Sequence, residues 1–183
     1  HAIEGYVVPG FHPLCDGAEL EGMRLIGTWL ERTVSEPGNI EARGGMLAGS
    51  CLAGISFLKG LGLVHAISHM VGAEYDTHHG LTNAIVLPAV LRFNESAIAR
   101  HVPHMSHALG LAGASFDDFY LQVCGLLDRL EIPKSLHDIG VPLDCAEGIA
   151  IKAIQDSAAS TNPRAASVGE IQLIVEQALT SGR

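Results

Sequence analysis

The sequence predicts an all-α domain, a multi-helix bundle built from residues 1–183. Apolar residues recur at three- and four-residue spacing through most of the chain, as they do on the buried face of a helix. No run alternates apolar and polar residues over more than about four positions, so no half-buried strand is expected. The composition is 48% hydrophobic but only 5% aromatic. Small and aliphatic residues in such number suit close-packed helices better than sheets.

The predicted helices are bounded by helix-capping residues or by Pro and Gly. They cover residues 16–34, 40–58, 63–72, 81–94, 95–109, 115–130, 143–159 and 168–179. Asp16 is the predicted N-cap of the first, with Glu19 completing a capping-box-like pattern. Pro88 is expected to kink its helix. The segment that opens at His1 is expected to be the end of a helix already under way, which makes the chain a piece of a longer protein.

Two further patterns support these boundaries. Ser115 with Asp118, and Ser167 with Glu170, are typical helix starts. The helix at 40–58 is rich in small residues, which favours a close helix–helix contact over the alternative of space left for a ligand.

Charge and cysteine content exclude several classes of protein. The formal net charge is −9 and the eleven basic residues are scattered, so no nucleic acid partner is expected. No apolar run approaches the roughly 20 residues that span a bilayer, so no membrane partner is expected either. The cysteines are widely spaced and form no CxxC pair, which favours reduced thiols and a cytoplasmic protein; three of them lie among apolar neighbours, namely Cys51, Cys124 and Cys145.

The placement of the ten histidines is the strongest functional signal. His65 and His69 are four residues apart and share one helix face. His79 follows across a turn, and His1 lies near a helix end. Imidazoles that converge from different helices are typical of metal sites in bundle cores, but spacing alone leaves capping or surface roles open. The other histidines are expected to be solvated, on a polar helix face at His101, His104 and His107 and in loops at His12 and His137.

Several segments resemble the iron-containing alcohol dehydrogenase family. The main ones are GLGLVHAISH at 60–69, Gly72-Ala73 and HHGLTNAIVLP at 78–88. The pattern of the same family also occurs at 1–6, 48–57, 90–94 and 162–164, and the resemblance is weakest at about 102–143. The resemblance implies the metal-binding C-terminal domain of a two-domain, dehydroquinate-synthase-like fold. The N-terminal nucleotide-binding domain would lie outside this chain, and the sequence here contains no G-x-G-x-x-G loop.

The resemblance also implies a ligand set. In the family a divalent metal, usually Fe²⁺ and sometimes Zn²⁺, is held by one Asp and three His. His1, His65 and His79 match those histidines, and the Asp would lie four residues upstream of this chain. His69 matches a non-ligand histidine that moves a proton near the substrate. Phe57 matches an aromatic wall of the active site.

The implied activity is reversible oxidation of a small alcohol to an aldehyde or ketone, by hydride transfer with NAD or NADP. A small alcohol or aldehyde, the N-terminal domain and further copies of the protein are the expected partners, and this chain alone is expected to be inactive. The sequence leaves the alcohol and the nucleotide open. Alternatives are a non-redox metal-binding or scaffold helical domain, a related enzyme such as a maleylacetate reductase, and a hydrolase with Glu74 or Asp76 as general base.

Overall fold

The computed structural model describes residues 1–181 and 183, and every regular element within them is helical. The α-helices are α1 Ala2–Val7, α2 Pro13–Ser35, α3 Ile40–Gly54, α4 Leu63–Tyr75, α5 His79–Ile98, α6 Val102–Ala108, α7 Phe116–Arg129, α8 Ala146–Ala153 and α9 Val168–Ser181. Short 3-10 helices cover Ile55–Leu58, His137–Ile139 and Ser157–Thr161. The all-α prediction is confirmed.

Two apolar cores meet along α5. One is formed by α4, α5, α8 and α9, and the other by α1, α2, α5, α6 and α7. Ile85 of α5 is buried in the first core and Ile98 in the second. Each fully buried aliphatic side chain stabilises the fold by about 1.5–3 kcal/mol relative to exposure, so α5 holds the two halves of the bundle together.

Helices α2 and α3 pack closely because glycines face each other. A Cβ atom added to Gly22 would lie 3.0 Å from the carbonyl oxygen of Gly49. One added to Gly49 would lie 3.2 Å from the carbonyl oxygen of Gly22. The expectation of tight helix packing is therefore confirmed at these positions, although Gly44 and Gly54 face open space.

The start of α2 differs from the prediction. The helix begins at Pro13, and the side chain of His12 caps it by accepting a hydrogen bond from the Cys15 amide at 3.3 Å. Proline is well suited to the first helical turn, where its missing N–H costs nothing. Asp16 therefore lies inside the first turn, Glu19 is fully buried instead of capping, and His12 is half-buried instead of free in a loop.

Other boundaries also moved. The boundary predicted between residues 94 and 95 lies later in the chain. Helix α5 continues across Pro88 to Ile98, and α6 starts at Val102, next to Pro103. The predicted helix at 143–159 is shorter, since Asp156 caps a separate 3-10 helix there. The reciprocal bonds between Ser115 and Asp118, however, form the predicted capping box.

The structure bears on the expectations about cysteine burial and about membrane-spanning helices. All four cysteines are free, and Cys15 and Cys145 are buried, but Cys51 is exposed, contrary to expectation. No single helix in residues 1–181 is long and apolar enough to cross a membrane. The pair formed by Ile40–Leu58 and Leu63–Tyr75, which bends by 100° at the break between them, meets that test by length and composition only.

Candidate metal centre

Helix α4 places two histidines on one face. His65 is 2% exposed, whereas His69 lies one turn later with its side chain 39% exposed. Their ring centroids are 5.9 Å apart. The predicted arrangement of the pair on a single helix face is confirmed.

The turn after α4 brings His79 back to these two rings. Asp76 ends α4 with a φ of 51°, a left-handed conformation that reverses the chain. His79 is then the first residue of α5. Its ring centroid lies 5.3 Å from that of His65 and 5.5 Å from that of His69, and the rings of His69 and His79 are stacked.

His1, directly before α1, adds a third ring beside His65. Their centroids are 4.6 Å apart, and the edge of Phe57 packs against His1 at 5.1 Å. The rings of His1, His65 and His79 thus gather in one region, as a shared ligand role requires. In the described residues, no three His, Cys, Asp or Glu side chains are already arranged to hold an ion.

The ring nitrogens of two histidines face a common point. The Nδ2 atom of Asn83 lies 3.2 Å from Nε2 of His65 and 3.1 Å from Nε2 of His79. With the amide nitrogen of Asn83 as the donor, both Nε2 atoms are the acceptors, and their lone pairs are directed at the same place. Burial lowers the pKa of His79, and the neighbouring His65 lowers it further, which favours the neutral, ligand-competent ring. The pair therefore has the donor chemistry that Fe²⁺ or Zn²⁺ needs.

The opposite nitrogens are held by other side chains. Nδ1 of His65 contacts Oε2 of Glu4, whose Oε1 accepts a hydrogen bond from the Val64 amide at 2.8 Å. Nδ1 of His79 lies 3.5 Å from the hydroxyl oxygen of Ser68. Both rings are thus fixed in orientation, with each Nε2 atom directed at the side-chain amide of Asn83.

His69 is held in a different way. Its Nδ1 lies 3.0 Å from Oδ2 of Asp156, whose other oxygen accepts a hydrogen bond from the Ala158 amide at 2.8 Å. A cavity of about 500 Å³ is lined by His1, Phe57, His65, His69 and His79. Residues of the 3-10 helix Ser157–Thr161 also line it. The three histidines that the family resemblance implies as ligands therefore line one cavity together with His69 and Phe57.

Three of these partners were missed by sequence reasoning. Glu4 follows His1 by one helical turn and is a lone carboxylate among apolar residues, which was a usable signal. Asn83 follows His79 by four residues, so the two share a helix face. Asp156 precedes Ser157 in a plain N-cap pattern. Only their pairing with distant histidines was invisible.

The histidines of α6 differ from the expectation. His101 is half-buried, with its ring 5.4 Å from that of Tyr6, and the prediction that it is solvated is wrong. Nδ1 of His104 forms a hydrogen bond with the Tyr6 hydroxyl at 2.9 Å, although His104 itself is exposed. His107 and His137 are exposed as predicted.

The hydrolase alternative finds no support in the geometry. The Glu74 carboxylate forms an ion pair with Lys152, and Asp76 serves as the left-handed end of α4. Neither side chain borders the histidine-lined cavity, so neither is placed to activate a water molecule there.

Comparisons with known proteins bear on the whole chain. A profile of the "Fe-containing alcohol dehydrogenase family, C-terminal" matches residues 1–179. An NAD-dependent methanol dehydrogenase from Bacillus methanolicus is 36% identical over 98% of this chain and 49% of its own length. A crystal structure of a 1,3-propanediol oxidoreductase has a TM-score of 0.93 at 33% identity, covering 98% of this chain and 49% of that one. A maleylacetate reductase from Agrobacterium tumefaciens has a TM-score of 0.83 at 25% identity, over 98% of this chain and 49% of that one.

These matches agree in family and in extent. The chain spans about half the length of the curated relatives it matches. The part it matches is the helical, C-terminal part of two-domain proteins. The chain belongs to the Fe-containing alcohol dehydrogenase family, as its C-terminal domain.

Proposed function

We propose that this chain is the metal-binding half of an NAD- or NADP-linked alcohol dehydrogenase that reversibly oxidises a small alcohol to an aldehyde or ketone. The observation that carries the proposal is the convergence of the His65 and His79 Nε2 atoms on one point, with the ring of His1 beside them. These three histidines would hold a divalent metal, Fe²⁺ or Zn²⁺. When bound, the metal supplies Lewis-acid polarisation of the substrate oxygen.

His69 moves the proton in this proposal. The Asp156 carboxylate accepts a hydrogen bond from Nδ1–H of His69, which leaves Nε2 as the atom that takes up or releases a proton. Its side chain is 39% exposed, so the proton can pass on to solvent. An imidazole is suited to this task because its ordinary pKa of about 6.5 lies close to neutral pH.

Phe57 forms the apolar wall of the cavity. Its ring packs edge-on against His1 and is 64% exposed in this chain. In the proposed enzyme that apolar surface excludes water from the place where hydride transfer occurs. The nicotinamide nucleotide would be bound mainly by an N-terminal domain of the same protein.

Other features fit the same proposal. The free cysteines agree with the reducing environment of the cytoplasm.

Large apolar side chains are exposed on α3, including Ile40 at 84% and Leu47 at 73%, and they are suited to a contact between copies of the protein in a homo-oligomer. In this setting the chain alone should give no NAD(P)H-linked turnover, because hydride transfer needs the nucleotide domain.

Calorimetric titration with Zn²⁺, and with Fe²⁺ under anaerobic conditions, tests the metal site directly. The unchanged chain should bind one ion, and both His65→Ala and His79→Ala should abolish that binding. His107→Ala removes an exposed imidazole far from the cavity and should leave binding unchanged. Equal binding by the parent and by both site variants would refute the proposal.

A further inference from the structure

We infer that Glu4 is a positioning residue for the metal, acting through His65; this inference rests on the metal site proposed above. Its carboxylate fixes the ring of His65 in the tautomer that carries the proton on Nδ1 and presents an unprotonated Nε2 to the cavity. Glu4 lies on α1 and is 5% exposed, so water does not compete for its oxygens.

The contacts of Glu4 determine which ring nitrogen is protonated. Oε2 contacts Nδ1 of His65, and an ionised carboxylate can only accept a hydrogen bond. The proton must therefore be on Nδ1. In the same tautomer Nε2 can accept a hydrogen bond from the amide of Asn83, whose Nδ2 atom lies 3.2 Å away.

The start of α4 is built to receive this carboxylate. Oε1 of Glu4 accepts from the Val64 amide, while the side-chain oxygen of Asn162 accepts from the Leu63 amide at 3.1 Å. A Cβ atom on Gly62 would lie 2.6 Å from Oε1 of Glu4 and 2.8 Å from that oxygen of Asn162, so only glycine admits both groups.

A carboxylate behind a metal-binding imidazole increases the basicity of the ligand and fixes its orientation. Loss of such a partner typically weakens metal binding by about 10- to 100-fold. Glu4 is thus expected to contribute to metal affinity without touching the metal.

The variant Glu4→Gln tests this role with almost no change of shape. Its carbonyl oxygen can still accept from the Val64 amide, but its NH₂ group would then face Nδ1 of His65 and favour the tautomer protonated on Nε2. Glu19→Gln is the matched control, because it also removes one buried carboxylate and lies outside the histidine cluster. The measurements are Zn²⁺ affinity of this chain by calorimetry and the ¹⁵N spectrum of the His65 ring without metal.

The expected results are a 10- to 100-fold loss of Zn²⁺ affinity in Glu4→Gln, a shift of His65 toward the Nε2-protonated tautomer, and neither change in Glu19→Gln. Unchanged affinity or an unchanged tautomer in Glu4→Gln would overturn the inference. If Glu4→Gln does not fold, the inference is tested by the ¹⁵N spectrum of the parent chain alone. A His65 ring that is protonated on Nε2 in the parent, or that is a mixture of tautomers, would contradict the role of Glu4. If the parent chain binds no Zn²⁺, the proposed metal site is wrong. The ¹⁵N spectrum then still tests whether Glu4 fixes the tautomer of His65.

Discussion

Replacing Glu19 with Gln should raise the free energy of unfolding at neutral pH, because this acid is buried without adequate partners. Its side chain is fully buried on α2, and neither carboxyl oxygen has a hydrogen-bond partner within the described residues. The nearest cation, Nζ of Lys59, is 3.9 Å away and forms its shorter contact, 2.5 Å, with Asp16. Burial raises the pKa of Glu19 to about 7, against the smaller opposing effect of Lys59.

The pKa sets the sign and the size of the effect. With an ordinary value of 4.5 in the unfolded chain and about 7 in the folded one, the folded state holds one extra proton between these pH values. The free energy of unfolding of the parent therefore falls as pH rises through this window, by about 1.4 kcal/mol per pH unit and roughly 3 kcal/mol in total. Gln does not titrate, so the stability of Glu19→Gln relative to the parent should increase by that amount from pH 4.5 to pH 7, and then stay constant.

Urea unfolding of both proteins at half-unit steps from pH 4.5 to pH 8 measures this difference. Glu147→Gln, which changes an exposed glutamate on α8, controls for the general loss of one negative charge and should show little pH dependence relative to the parent. A constant difference between Glu19→Gln and the parent at every pH would show that Glu19 is ionised in the folded state throughout. That result would refute the reasoning.

Two further predictions concern stability, and both are measured by thermal or urea unfolding. A Cβ atom on Gly45 would overlap the ring of Trp29, so Gly45→Ala should cost about 1–3 kcal/mol. Gly44→Ala, one residue earlier in open space, should instead stabilise α3 by up to about 1 kcal/mol, and equal effects of the two would contradict the packing described. Asn162→Ala should cost about 3 kcal/mol, because it leaves the Leu63 amide and other buried polar groups without partners. A cost below 1 kcal/mol would mean that water replaces the lost bonds.

The helices were predictable because apolar spacing reports directly on the buried face. Their ends were less so, because several residues compete for each cap. Asp16 is the better N-cap by residue type, but Pro13 allowed α2 to start three residues earlier and His12 supplied the acceptor. The helix predicted at 95–109 is not continuous, because α5 ends at Ile98 and a new helix, α6, starts next to Pro103. Such competition between neighbouring caps is decided by energies of about 1 kcal/mol, which local sequence does not resolve.

The site was predictable where it depends on spacing within one element. His65 and His69 share a face of α4 because they are four residues apart. By contrast, the contact between Glu4 and His65 joins two helices about 60 residues apart in sequence, and that between His69 and Asp156 joins segments 87 apart. No local pattern encodes which distant carboxylate meets which imidazole, since that depends on how α1 and the 3-10 helix dock on α4. The resemblance to a family supplied the histidines but not the carboxylates behind them.

The same carboxylate that orients His65 also joins the two helices that carry the site. Glu4 lies on α1, next to His1, and its two oxygens bind the amide of Val64 and the ring of His65 at the start of α4. The rings of His1 and His65, with 4.6 Å between their centroids, therefore lie on two helices that Glu4 connects through Nδ1 of His65. Burial of Tyr6 and Val7 in the second core keeps α1 in place, and Glu4 connects α1 to the histidines of the proposed metal site. No other described side chain of α1 hydrogen-bonds to α4. A change that displaces α1 should therefore also change the orientation of the His65 ring.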